Sequence, residues 1–97
     1  MFYVVFERQV AKDVQNLKAA GLDKKAKFLI EIIRQDPFQN PPSYEKLVGN
    51  LKNYYSRRIN IQHRIVYQVF QEAVTIDSVV YNGTVKIIRM WTHYDSL

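Results

Sequence analysis

Apolar residues along this chain change their period once, and the change divides it into a helical half and a strand half. Met1–Phe6 (M-F-Y-V-V-F) is apolar throughout, β-branched and aromatic, with no breaker. It predicts a short strand lying inside a sheet rather than at an edge. From Glu7 to Ala20, Val10, Val14 and Leu17 recur at helical spacing while Lys12, Asp13, Gln15, Asn16 and Lys18 point elsewhere, and Gly21 ends the run. A second helix, Leu22–Gln35, carries Leu22, Ala26, Leu29, Ile30 and Ile33 on one stripe. Two amphipathic helices parted by one glycine predict an αα-hairpin laid over a flat surface. Asp36–Tyr44 holds three prolines in six positions, which excludes helix and central strand. Beyond it the period is two. Tyr54–Ile59 alternate, Asn60–Gln62 reads as a turn, and Arg64–Phe70 as a strand. Ala73–Tyr81 and Thr84–His93 read as two more strands, joined as a hairpin through Asn82-Gly83. The order βααββββ predicts an α+β fold: an N-terminal strand, a two-helix hairpin, then a twisted antiparallel sheet.

Length and composition narrow this. Ninety-seven residues, 47% hydrophobic, suffice for one small core and not for two, so residues 1–97 are expected to form a single domain. There is no cysteine, which excludes a disulfide scaffold and thiolate metal sites and fits a reducing cytoplasm. The apolar start has no basic flank and no small-residue cleavage site, so neither export nor a membrane partner is expected. Fourteen Lys and Arg against nine Asp and Glu leave a net charge of +5, which favours an RNA, DNA or acidic-protein partner without choosing one. Lys24, Lys25 and Lys27 oppose the macrodipole at the start of the second helix, and read either as a patch kept for a partner or as a solvated face.

Charge is densest inside the apolar pattern at Ser56–Tyr67, where three arginines and His63 fall within twelve positions. Charge in a strand-like segment is costly without a partner, which points to an anion. His63 stands beside the predicted turn and reads as an exposed bystander; His93 closes the last strand; Glu45 follows the proline loop. Together, Glu, His and Arg can cleave RNA with no cofactor and no metal. A carboxylate takes the 2′-hydroxyl proton, an imidazole protonates the leaving oxygen, and a guanidinium meets the charge building on phosphate. Tyr54, Tyr55, Trp91 and Tyr94 are candidates to stack a splayed base, with sheet packing as the alternative use of the same rings. The set permits this chemistry without requiring it.

Four blocks carry a resemblance: P-P-S-Y-E-K-L at 41–47, L-K-N-Y-Y-S-R-R-I at 51–59, H-R-I-V-Y at 63–67 and R-M-W-T-H-Y at 89–94. In this order they resemble the YoeB/Txe toxins of bacterial type II toxin–antitoxin systems, within the RelE-like group. The resemblance implies a microbial-ribonuclease-like fold and ribosome-dependent cleavage of mRNA in the A site, leaving a 2′,3′-cyclic phosphate. It implies Glu45 as general base, His93 as general acid, Arg64 at the phosphate and Tyr94 positioning the base or the end of the site. Arg57 and Arg58, with Lys46, Lys52 and Tyr55, would hold RNA. The implied partners are an antitoxin of the YefM/Axe (Phd-like) type, the 70S ribosome and mRNA; homodimers are known in the family. Two departures stand out. Val48 occupies a place where some members are basic, and Asp95-Ser96-Leu97 follow Tyr94 where many members end, which leaves the pH optimum open. The competing expectations are a ParE-like gyrase poison, a group generally lacking the Glu–Arg–His-Tyr set, and a non-catalytic RNA-binding module using the same basic face.

Overall fold

The computed structural model describes residues 1–49 and 52–93. Strand β1 (Tyr3–Phe6) leads into helices α1 (Val10–Ala19) and α2 (Asp23–Gln35). Then come β2 (Glu45–Lys46), β3 (Tyr54–Arg58), β4 (His63–Phe70), β5 (Val74–Ile76), β6 (Val79–Tyr81) and β7 (Thr84–His93). Five strands form one sheet in the order β1-β7-β4-β3-β2. The α+β expectation holds, with one difference: β1 pairs with β7 in parallel, while the other pairings are antiparallel.

The helices pack on one face of the sheet. Val10 and Leu17 of α1 and Ala26, Leu29, Ile30 and Ile33 of α2 meet Ile65, Tyr67 and Val69 of β4 and Val85 and Ile87 of β7. α1 ends in a Schellman turn: Leu22 N–H donates to Leu17 O at 2.8 Å, Gly21 N–H to Lys18 O at 3.1 Å, and Gly21 takes φ +72°. Asp13 does not point elsewhere. It is 1% exposed, and its carboxylate accepts from Arg89 Nε at 2.9 Å, Arg89 Nη2 at 3.2 Å and the Met90 N–H at 2.9 Å. It falls three residues after Val10 and four before Leu17, which puts it on the apolar stripe. There it clips α1 to β7 beside the irregular register opposite Val66. The ion pair holds Arg89 protonated beyond its ordinary range, chiefly through the Asp13 hydrogen bond.

Two expectations for the strands are corrected. β1 lies at the edge of the sheet, not inside it. It is apolar on both faces because Val4 packs on the core while Tyr3 meets Tyr81 at 5.3 Å, and Phe2 N–H donates to Arg34 O at the end of α2. Ala73–Tyr81 is not one strand, and Asn82-Gly83 is not a hairpin turn. The chain reverses at Asp77 and Ser78, both at positive φ, so β5 and β6 form a separate two-stranded ribbon. Asn82-Gly83 instead meets the N-terminus: Asn82 N–H donates to Met1 O at 2.9 Å, and Tyr3 N–H to Gly83 O at 2.9 Å. A Cβ on Gly83 would collide with the Phe70 carbonyl and the Phe2 ring, so this glycine serves a close approach.

Candidate active site

The opposite face of the sheet carries Glu45, Arg58 and Arg64. Antiparallel register places Glu45 of β2 opposite Ser56 of β3, Arg58 of β3 opposite Arg64 of β4, and Arg64 opposite Thr92 of β7. Alternation then sends Ser56, Arg58 and Arg64 away from the helices while Ile65 and Tyr67 face them. Residues 19 apart in sequence meet: Arg64 Nη1 donates to Glu45 Oε2 at 3.3 Å and Nη2 to Oε1 at 3.2 Å. Arg64 Nη1 also donates to Ser56 Oγ at 2.7 Å. Ser43, Tyr44, Glu45, Ser56, Arg58 and Arg64 line a cavity of about 230 Å³. That is below the usual volume of small-molecule pockets.

Exposure differs sharply within the pair, at 3% for the Arg64 side chain and 54% for Glu45. A buried guanidinium requires a countercharge and hydrogen bonds; Glu45 and Ser56 supply them. Arg58 is exposed at the rim. The cavity is therefore cationic at its floor, with one carboxylate able to leave toward solvent.

His93 ends β7 in register with His63, one position beyond the Thr92–Arg64 pair. The sheet thus brings the backbone of His93 beside Arg64, 29 positions earlier in the sequence. Tyr94, Asp95, Ser96 and Leu97 lie outside the described residues. His63 is not exposed as expected. It is buried, and its ring stacks on Trp91 with centroids 3.7 Å apart and planes 15° apart. That contact also accounts for Trp91, whose ring packs in the sheet.

Two expected RNA contacts are corrected. Arg57 is 1% exposed and turned to the helix side. Its Nε donates to Tyr67 Oη at 3.1 Å, Nη1 to Pro42 O at 2.6 Å, and Nη2 to Pro37 O at 3.0 Å and Gln39 O at 2.8 Å. The proline loop has no sheet ladder to satisfy its carbonyls, and Arg57 does so instead. Tyr55 belongs to the same cluster, 5.2 Å from Phe38, 6.0 Å from Tyr44 and 5.9 Å from Tyr67, so its ring packs under the loop rather than in the cavity. Lys46, Lys52 and Val48 are exposed, and none of the three lines the cavity. Lys24, Lys25 and Lys27 are exposed on the helical layer, away from the cavity. Ser43 and Tyr44 line it without having been singled out, and so does Ser56, which the resemblance placed on the basic strand with no role of its own. The signal for Ser56 was its place two residues before Arg58 on an alternating strand.

A five-stranded sheet with two helices on one face and this cavity on the other is the architecture of small bacterial toxins. The YoeB/ParE toxin from Agrobacterium tumefaciens superimposes with a TM-score of 0.76 at 25% identity, covering 96% of this chain and 100% of that one. The toxin in a YoeB-YefM complex from Staphylococcus aureus matches with a TM-score of 0.68 at 29% identity, over 97% and 99% of the two chains. A family model for the YoeB-like toxin of bacterial type II toxin-antitoxin systems matches residues 6–94, and the chain belongs to that family. Toxin YoeB of a Synechocystis strain is 42% identical over 55 residues, which cover 57% of this chain and 64% of that protein.

Proposed function

We propose that the chain is a ribosome-dependent mRNA endoribonuclease, the toxin of a type II pair, which inhibits translation by cutting mRNA in the A site. The observation that carries this reading is the Glu45–Arg64 contact, at 3.2 and 3.3 Å, inside a small cationic cavity with Arg58 at its rim.

Glu45 accepts the 2′-hydroxyl proton as the 2′-oxygen attacks the adjacent phosphorus. The P–O5′ bond breaks, and His93 protonates the departing 5′-oxygen. The products are a 2′,3′-cyclic phosphate and a 5′-hydroxyl. Arg64 faces the negative charge that builds on the non-bridging oxygens, with Arg58 as a second cation; fixed charge there commonly contributes about 10²–10³-fold to turnover. Tyr94 positions the base or the end of the site. This route takes no cofactor. The 70S ribosome supplies ordered mRNA, and a YefM-like antitoxin is the inhibitory partner, as in the Staphylococcus aureus complex.

RNA ends mapped in translating ribosomes test the reading. Wild type is expected to yield new 5′-hydroxyl ends at A-site codons and to halt growth; Glu45→Ala and His93→Gln are expected to lose both. Unchanged growth arrest by both variants, with no new ends, would remove the catalytic assignment.

A further inference from the structure

Among the described residues, Arg64 is held by two acceptors of unlike kind. Glu45, 54% exposed at its side chain, lays its two oxygens across Nη1 and Nη2 at 3.3 and 3.2 Å. This fork-on-fork geometry is also the one by which a guanidinium takes two phosphate oxygens. Ser56, 1% exposed, accepts from Nη1 at 2.7 Å from within the sheet. A phosphate entering the cavity competes with Glu45 for the outer side of the fork and leaves the Ser56 contact untouched.

We propose that Ser56 is a positioning residue, whose hydroxyl keeps Arg64 aimed into the cavity while an incoming phosphodiester displaces Glu45. The inference deepens the nuclease reading and rests on it for the identity of the anion. The need for such an anchor follows from the register. Arg58 stands directly opposite Arg64, and like charges facing each other across a strand pair repel. Val66, the cross-strand partner of Ser56 on β4, is apolar and offers the fork nothing. When Glu45 turns to its substrate proton, a long side chain with several rotamers must stay put, and among the described residues the buried Ser56 hydroxyl is an acceptor that holds it inside the cavity.

The test combines a double-mutant cycle with a binding measurement on the free protein. On translating ribosomes, Ser56→Ala is expected to lower the cleavage rate roughly 10- to 100-fold, the worth of one hydrogen bond to a charged group. The ribosome concentration giving half-maximal rate should move less than about threefold, because a transition-state contact is lost rather than uniform binding. In an Arg64→Lys background, Ser56→Ala should cost less than about twofold, since no fork remains to be aimed. Cleavage by Ser56→Ala at the wild-type rate, or an equal loss in both backgrounds, would overturn the proposal. Titration with inorganic phosphate, followed by the NMR signal of the Arg64 Nε–H, does not depend on cleavage. Ser56→Ala should weaken that binding by roughly tenfold, and unchanged binding counts against the anchor even if wild type proves to cut no RNA.

Discussion

Tyr67 shows how far one residue's surroundings can shift its chemistry. It is fully buried; its hydroxyl donates to Pro37 O at 2.8 Å and accepts from Arg57 Nε at 3.1 Å. Burial raises its pKa to about 12, against the smaller opposing pull of the Arg57 charge. In the unfolded chain the phenol ionises near its ordinary value of about 10. The folded state therefore holds the proton longer, and the contribution is full below pH 10 and lost as pH rises through about 12. A shift of this size corresponds to about 2–3 kcal/mol. Denaturant melts from pH 8 to 12 should show that decline in wild type and a flatter profile in Tyr67→Phe; equal slopes would refute the assignment. Arg57 illustrates the same scale. Its type and position advertise an RNA contact, yet it is a buried tie for loop carbonyls. Alternation predicts that Arg57 and Arg58 face opposite ways; only the packing says which one meets solvent.

At the scale of elements, the loop from Asp36 to Tyr44 and the strand after it act together. Arg57 bonds the carbonyls of Pro37, Gln39 and Pro42, and the loop then delivers Glu45 to β2. Arg57→Met should cost about 2–4 kcal/mol by taking the Arg57 donors from the Gln39 and Pro42 carbonyls, while Pro37 O keeps the Tyr67 hydroxyl. It should also lower cleavage through misplacement of Glu45, read as a fall in denaturant midpoint together with activity. The clip between α1 and β7 predicts a different pattern. Asp13→Asn should destabilise by about 3 kcal/mol, the low end for breaking a buried pair because the Arg89 side chain is 38% exposed and water screens it. Residual cleavage per folded molecule should stay near wild type, since Asp13 does not line the cavity. The helices were legible because an amphipathic stripe fixes them locally, and Gly21 marks the break. The hairpin was misplaced because Asn82-Gly83 has strong turn chemistry, whereas Asp77-Ser78 turns the chain with residues less partial to positive φ. β2 escaped notice because two residues have no periodicity to display.

For the whole molecule, the net charge of +5 and a cationic cavity predict salt-dependent association. The affinity for ribosome-bound mRNA should fall as salt rises from about 50 to 200 mM, with a slope reduced by about one on replacing Arg58 with Gln. A salt-independent affinity would contradict phosphate contact. The sequence alone determined the α+β class, both helices, the proline loop, the turn at Asn60 and the family, because these depend on local periodicity, backbone restriction and residue blocks read in order. The tertiary structure alone decided which charges share a cavity. Glu45, Ser56 and Arg64 meet through strand register across three neighbouring strands, and a one-residue slip would send each to the other face. Register is set by how the core packs over the entire sheet, so it put Arg64 in the cavity, made a structural tie of Arg57 and buried His63 against Trp91.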